Sequence, residues 1–154
     1  MSINLKRKQK YTISLINKGR GMSNFEIINK AKKLDLPNFK YYMLDEVPKQ
    51  HLLEKECGIL NLDHKKNRFS DYGGTHHTCW WIDGNKKYYF DSYGVEAPKR
   101  MIKYLGKGIL SSTHQFQQYN ETNCSEYCLY VLNELNKGHD FIDIVLNLIK
   151  EDTF

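Results

Sequence analysis

Cys124 is the residue best placed to do chemistry. Asn123 before it is a good helix N-cap, and Glu126 stands three positions after Asn123, the spacing of a capping box. Tyr127, Cys128, Val131, Leu132 and Leu135 then recur at helical spacing from Cys124. The pattern predicts a buried helix over 123–135 with the thiol in its first turn. Free backbone N–H groups and the positive end of the helix dipole stabilise a thiolate there. The thiolate is the nucleophilic form of cysteine, so this position suits covalent catalysis. Cys128, one turn deeper, reads as core.

A nucleophilic thiol needs a base. Thr75 to Ile82 and Tyr88-Tyr89-Phe90 are rich in β-branched and aromatic residues, with Asp83-Gly84-Asn85 between them. That pattern predicts a hairpin turning on Asp83-Gly84. A two-residue loop sets Ile82 opposite Asn85, Trp80 opposite Lys87, Thr78 opposite Tyr89 and His76 opposite Asp91. A three-residue loop pairs His77 with Asp91 instead, so one residue of register decides the histidine. A carboxylate beside an imidazole orients the ring and favours its charged form. A surface His–Asp pair at a hairpin edge is the plainer alternative. Gln117 and Gln118 precede Cys124 by seven and six residues. An amide there can donate to an oxyanion together with the Cys124 N–H, although a polar strand edge has the same composition. The residues thus arrange themselves as Cys124 nucleophile, His76 base (His77 the second choice), Asp91 orienting acid and Gln117 oxyanion donor (Gln118 the second choice). A zinc site from His76, His77, Cys79 and Cys57 is disfavoured. Alternation along a strand puts His76 and His77 on opposite faces, and the two ligands left on one face are too few for a structural tetrahedral site.

These residues need a scaffold. Ser23 and Glu26 form an S-x-x-E start for a helix to about Leu34, closed by Leu36-Pro37. Phe25, Ile28 and Ala31 supply its apolar positions. Strands are expected at 39–44 and 57–62, with a short helix near 48–55 between them and a polar loop over 63–74. Pro98 opens a helix to Leu105, ended by Gly106 and Gly108. A strand over 111–119, the Cys124 helix and an amphipathic helix over 141–149 complete the pattern. The fold class is α+β: a small mixed β-sheet with surrounding helices. Residues 1–20 read as a basic arm and 21–154 as a single domain.

The chain of 154 residues carries a net charge of +5 and 11 tyrosines, enough apolar and aromatic surface for one core. Lys6, Arg7, Lys8, Lys10, Lys18 and Arg20 fall in the first twenty residues without an acid among them. Such an arm can bind DNA by releasing counterions, with a solvated terminus as the plain alternative. No run approaches the roughly 18 apolar residues of a membrane span, and no signal-peptide core stands at the start. The expectation is therefore a monomer in a reducing, intracellular setting, not secreted, without a membrane partner and with free thiols.

The blocks Gly74-Thr75-His76, Phe90-Asp91-Ser92-Tyr93-Gly94, Gln117, and Cys124 with Tyr127-Cys128-Leu129 resemble the adenovirus-type maturation proteases, the adenain-like group. Asn38-Phe39, Leu44-Asp45 and Gly58-Ile59-Leu60-Asn61-Leu62-Asp63 resemble that family's lead-in, so the likeness runs from about residue 20 to 146. The proteases of virophages and Polinton-like elements are the nearest look-alikes, and the SUMO and ubiquitin-like proteases share the clan. Two positions depart from the pattern. His77 stands where the family has Trp, and Ser125 where it has Gly. The resemblance implies a papain-like cysteine protease domain with the nucleophile at the start of a buried helix. It implies cleavage of viral structural (capsid) precursor proteins near glycine-containing sites during virion maturation, in the virion and the interior of the infected host cell. DNA on the basic arm or a peptide is the activator that relatives suggest, and no required cofactor can be read. A ubiquitin-like-modifier protease and a catalytically weakened capsid-associated homologue are the rival readings.

Overall fold

The computed structural model describes residues 22–67, 76–116 and 123–152. They form a five-stranded mixed sheet with four helices. The elements in chain order are α1 (Asn24–Lys33), β1 (Phe39–Met43), β2 (Lys55–Asn61), β3 (His77–Asp83), β4 (Lys86–Phe90), α2 (Lys99–Leu105), β5 (Ile109–Ser111), α3 (Cys124–Asn136) and α4 (Phe141–Asp152). Strands lie in sequence order. β1–β2 and β4–β5 pair parallel, and β2–β3 and β3–β4 antiparallel.

The central strand explains the two-layered core. Side chains alternate along a strand, and β3 is apolar on both faces. Cys79 and Trp81 join Cys57, Ile59 and Phe90 beneath α1, α3 and α4. Trp80 and Ile82 join Leu60 and Tyr89 beneath Met101, Tyr104 and Leu105 of α2. On that second side Trp80 stacks on Tyr42 with ring centroids 5.8 Å apart. The indole lies directly over Gly58, where a Cβ would come within 2.3 Å of the ring. Each helix thus buries its stripe on one side of β3, and the head of that strand is where α3 begins.

Several expectations need correction. The hairpin turns on Gly84-Asn85, not Asp83-Gly84, because Asp83 pairs with Lys86. Gly84 has φ +60° and Asn85 is not among the positive-φ residues, the pattern of a type II′ turn with glycine first. The register therefore slides by two residues from the expected one. No helix forms over 48–55. The His51 N–H bonds the Tyr104 carbonyl, and Lys55 already pairs with Asp83 in β2. In place of the strand expected over 111–119, a strand lies at Ile109–Ser111, and 117–119 fall outside the described residues. β4 ends at Phe90, and residues 113–116 follow the turn after it, with the Phe116 N–H on the Ser92 carbonyl at 2.7 Å. The inward face of α1 is Asn24, Ile27 and Ala31, whereas Phe25 is exposed. Its Ser23 cap accepts from the Glu26 N–H at 3.2 Å as expected. Asn123, by contrast, makes no side-chain cap bond to α3. No helix among the described residues is long and apolar enough to cross a membrane.

Candidate active site

Cys124 is the first residue of α3 and is buried against the head of β3. Its Sγ receives the His77 backbone N–H at 3.4 Å and lies 3.7 Å from His77 Nδ1. β3 starts at His77, so His76 stands just before the strand and escapes its alternation. That is why both imidazoles reach one thiol, which strict alternation had excluded. Both imidazoles lie close enough to act on the thiol.

His76 carries the charged partner. Its Nε2 donates to Asp91 Oδ1 at 2.7 Å, with both side chains buried. Asp91 is positioned by the turn after β4. The Tyr93 N–H donates to the same Oδ1 at 2.8 Å, and the Gly94 N–H to the Asp91 carbonyl at 2.8 Å. Gly94 has φ +71°, and a Cβ there would meet the Thr113 carbonyl oxygen at 2.5 Å, so the turn requires glycine. The Tyr93 ring stacks on His76 with centroids 4.1 Å apart. Extended one step past the Cys79–Phe90 pair, the register sets Asp91 beside Thr78, so Asp91 meets His76 diagonally and not as a directly opposed pair. The expected partnership is made by two residues just outside the strands, His76 before β3 and Asp91 after β4.

Nδ1 of His76 is buried and has no conventional hydrogen-bond partner among the described residues. A proton on that ring nevertheless acts on the thiol. Burial alone would lower His76 and raise Cys124. Asp91 and Cys124 outweigh burial and bring His76 up to about 9. At the sulfur the His76 imidazolium, and His77 when it is charged, outweigh burial and bring Cys124 down to about 6. Opposite shifts on adjoining groups favour a thiolate–imidazolium pair near neutral pH.

His77 has neutral partners instead. Its Nε2 lies 3.1 Å from the Tyr41 hydroxyl, which in turn bonds Asn24 Oδ1. Asn61 Nδ2 reaches Tyr41 Oη at 3.2 Å and Asn24 Oδ1 at 3.4 Å. Sequence reading missed these three residues. Asn24 and Asn61 are buried amides, but they come from α1 and β2, far apart in the chain, and no spacing links them.

Ser125 is buried, and its hydroxyl donates to Glu126 Oε2 at 3.2 Å. Gln117 and Gln118 lie outside the described residues, as do Thr75 and the basic residues Lys6, Arg7, Lys8 and Lys10. The four cysteines are free and buried. Among the described residues no three His, Cys, Asp or Glu side chains converge as metal ligands. A cleft of about 730 Å³ opens between the β3–β4 hairpin and the α3–α4 turn, lined by Lys55, Asp83, Glu134 and Asp143 among others. It includes none of the thiol, the two histidines or Asp91. No family model matches this chain, and no curated protein matches it.

Proposed function

We propose that the chain is a cysteine endopeptidase of the adenain-like, papain-like type, acting on viral structural precursor proteins near glycine-containing sites during particle maturation. The observation that carries this reading is a buried His76–Asp91 pair, 2.7 Å apart, beside a thiol that opens a helix. The Cys124 thiolate attacks the scissile carbonyl. The His76 imidazolium, held by Asp91, protonates the departing amine. Neutral His76 then takes a proton from the water that hydrolyses the thioester. The Cys124 N–H and Gln117, with Gln118 as the alternative, would hold the oxyanion. The bond from Ser125 to Glu126 occupies the hydroxyl that replaces the family's glycine, which favours an active enzyme over a weakened homologue. DNA on Lys6, Arg7, Lys8 and Lys10, and action inside the virion and infected cell, belong to the same proposal.

The test is a panel of glycine-containing precursor peptides and modifier-derived peptides offered to the full chain. Cleavage of the precursor peptides, lost in Cys124→Ala, is the expected result. Cleavage of modifier peptides alone would move the assignment to the modifier proteases. A Cys124 that reacts with iodoacetamide no faster than Cys57 or Cys79 near neutral pH would sink the activated-thiol reading.

A further inference from the structure

A second hydrogen-bond chain ends on the same sulfur, and its polarity can be read from one fixed end. A backbone N–H can only donate. The Asp63 N–H lies 2.9 Å from Asn61 Oδ1, so that oxygen is the acceptor and Asn61 turns its Nδ2 donor inward. Nδ2 faces Tyr41 Oη and Asn24 Oδ1, which must accept from it. A tyrosine has one proton to give, and Tyr41 gives it to Asn24 Oδ1. Toward His77 the phenol oxygen is therefore an acceptor, and His77 Nε2, at 3.1 Å, carries the proton. A neutral imidazole protonated at Nε2 has a lone pair at Nδ1. That lone pair faces Cys124 Sγ at 3.7 Å.

The geometry points to His77 as a second working residue of the site: held by Tyr41, Asn24 and Asn61 in the tautomer with an unprotonated Nδ1, it accepts a hydrogen bond from the Cys124 S–H and opposes the thiolate that His76 favours. Tyr41, Asn24 and Asn61 are positioning residues acting through His77. The two histidines divide the work by their partners. Asp91 is a carboxylate and stabilises an imidazolium on His76. Tyr41 offers His77 only a neutral oxygen, so the thiol proton moves from sulfur to His76 when the thiolate forms. A charged His77 would favour the thiolate, whereas the tautomer imposed by Tyr41 stabilises the protonated thiol. Among the described residues, the titratable groups around the sulfur and its two rings are His76, His77, Tyr41, Asp91, Tyr93 and Cys128.

This inference rests on Cys124 being the reactive thiol, and its test needs no substrate. Nitrogen-15 NMR of the imidazoles in full-length Cys124→Ala protein should show neutral His77 protonated at Nε2, because the tautomer is set from the Tyr41 side. A proton on Nδ1 would overturn the proposal. Tyr41→Phe frees His77 to place its proton on Nδ1 and donate to the thiolate. The pH midpoint of Cys124 alkylation should then fall by about 0.5–1 pH unit, the size of one neutral hydrogen bond. An unchanged or raised midpoint, with the fold intact by circular dichroism, also overturns it. Failed peptide cleavage alongside the expected tautomer and midpoint would defeat the protease reading alone.

Discussion

The first two turns of α3 hold a matched comparison. Cys124 and Cys128 are one turn apart, both free and both buried. Burial raises each thiol, because a thiolate loses its water. At Cys128 nothing reverses this, and the neighbouring Cys79 adds to it. Its S–H lies 3.6 Å from the His77 carbonyl, an acceptor that favours the protonated form. At Cys124 the His76 imidazolium and a backbone N–H act on the sulfur, and the thiol falls to about 6. The difference teaches that depth does not decide reactivity here. The neighbours do: Cys124 has the His76 imidazolium and the His77 backbone N–H, and Cys128 has the His77 carbonyl.

The largest effect should come from removing the group that separates the two turns. In His76→Ala, Cys124 loses its charged neighbour and behaves like its inert companion. The thiolate fraction at pH 7 should fall about 100-fold, as expected when a thiol moves from about 6 back to its ordinary 9.0 or above. Iodoacetamide labelling read by peptide mass spectrometry checks this, with Cys128 as the internal control. Asp91→Asn should fall between the two, since the ring keeps its place but loses its charged partner. Labelling in His76→Ala equal to wild type would mean that the first turn owes its reactivity to the helix dipole or to His77.

pH separates the thiolate from the acid that must accompany it. Cys124 lies below its ordinary value, so thiolate forms as pH rises through about 6. His76 lies above its ordinary value, so imidazolium persists until pH rises through about 9. Alkylation needs only the thiolate and should rise near pH 6 and then stay level. Peptide cleavage also needs the proton on His76 and should form a bell between about 6 and about 9. A cleavage profile that stays flat above pH 9 would assign the acid to some other group.

Much of this contrast was legible in the residues. The apolar stripe from Tyr127 to Leu135 placed Cys124 at the head of a helix, and burial follows that stripe. Asp91 and His76 were paired through a hairpin count whose turn was misplaced. The Asp83-Gly84 signal competed with Gly84-Asn85, and Gly84 needs positive φ in either turn, so glycine alone could not choose. The pair forms all the same because both residues lie just outside the two strands. What periodicity could not supply was where β3 starts. A strand beginning at 76 would have thrown His76 and His77 to opposite faces, and one beginning at 77 lets both reach the sulfur. The Tyr41–Asn24–Asn61 chain was illegible for a different reason, since parallel pairing of β1 with β2 and the docking of α1 are long-range events. The segment 48–55 had helical composition but is held open by β2 and the end of α2.

The smallest expected effect tests the inert half of the comparison. Cys128→Ala deletes one fully buried sulfur between α3 and β3 and leaves a small cavity. The cost should be about 1–2 kcal/mol of stability, in the range of other buried one-atom deletions. Urea denaturation of the full chain measures it. The alkylation midpoint of Cys124 should move by less than about 0.3 pH unit, because Cys128 lends its neighbour no proton and no charge near neutral pH. The sign can be argued too. An ionised Cys128 would raise Cys124 through like-charge repulsion, but Cys128 stays protonated throughout the working range. Removing it therefore takes away packing and no field. A shift of a full unit would require the helix start itself to have moved, and His77 labelling by diethyl pyrocarbonate would then change in the same variant. If reactivity vanished while stability held, the two turns would have to be treated as one coupled dithiol, and the contrast between them would fail.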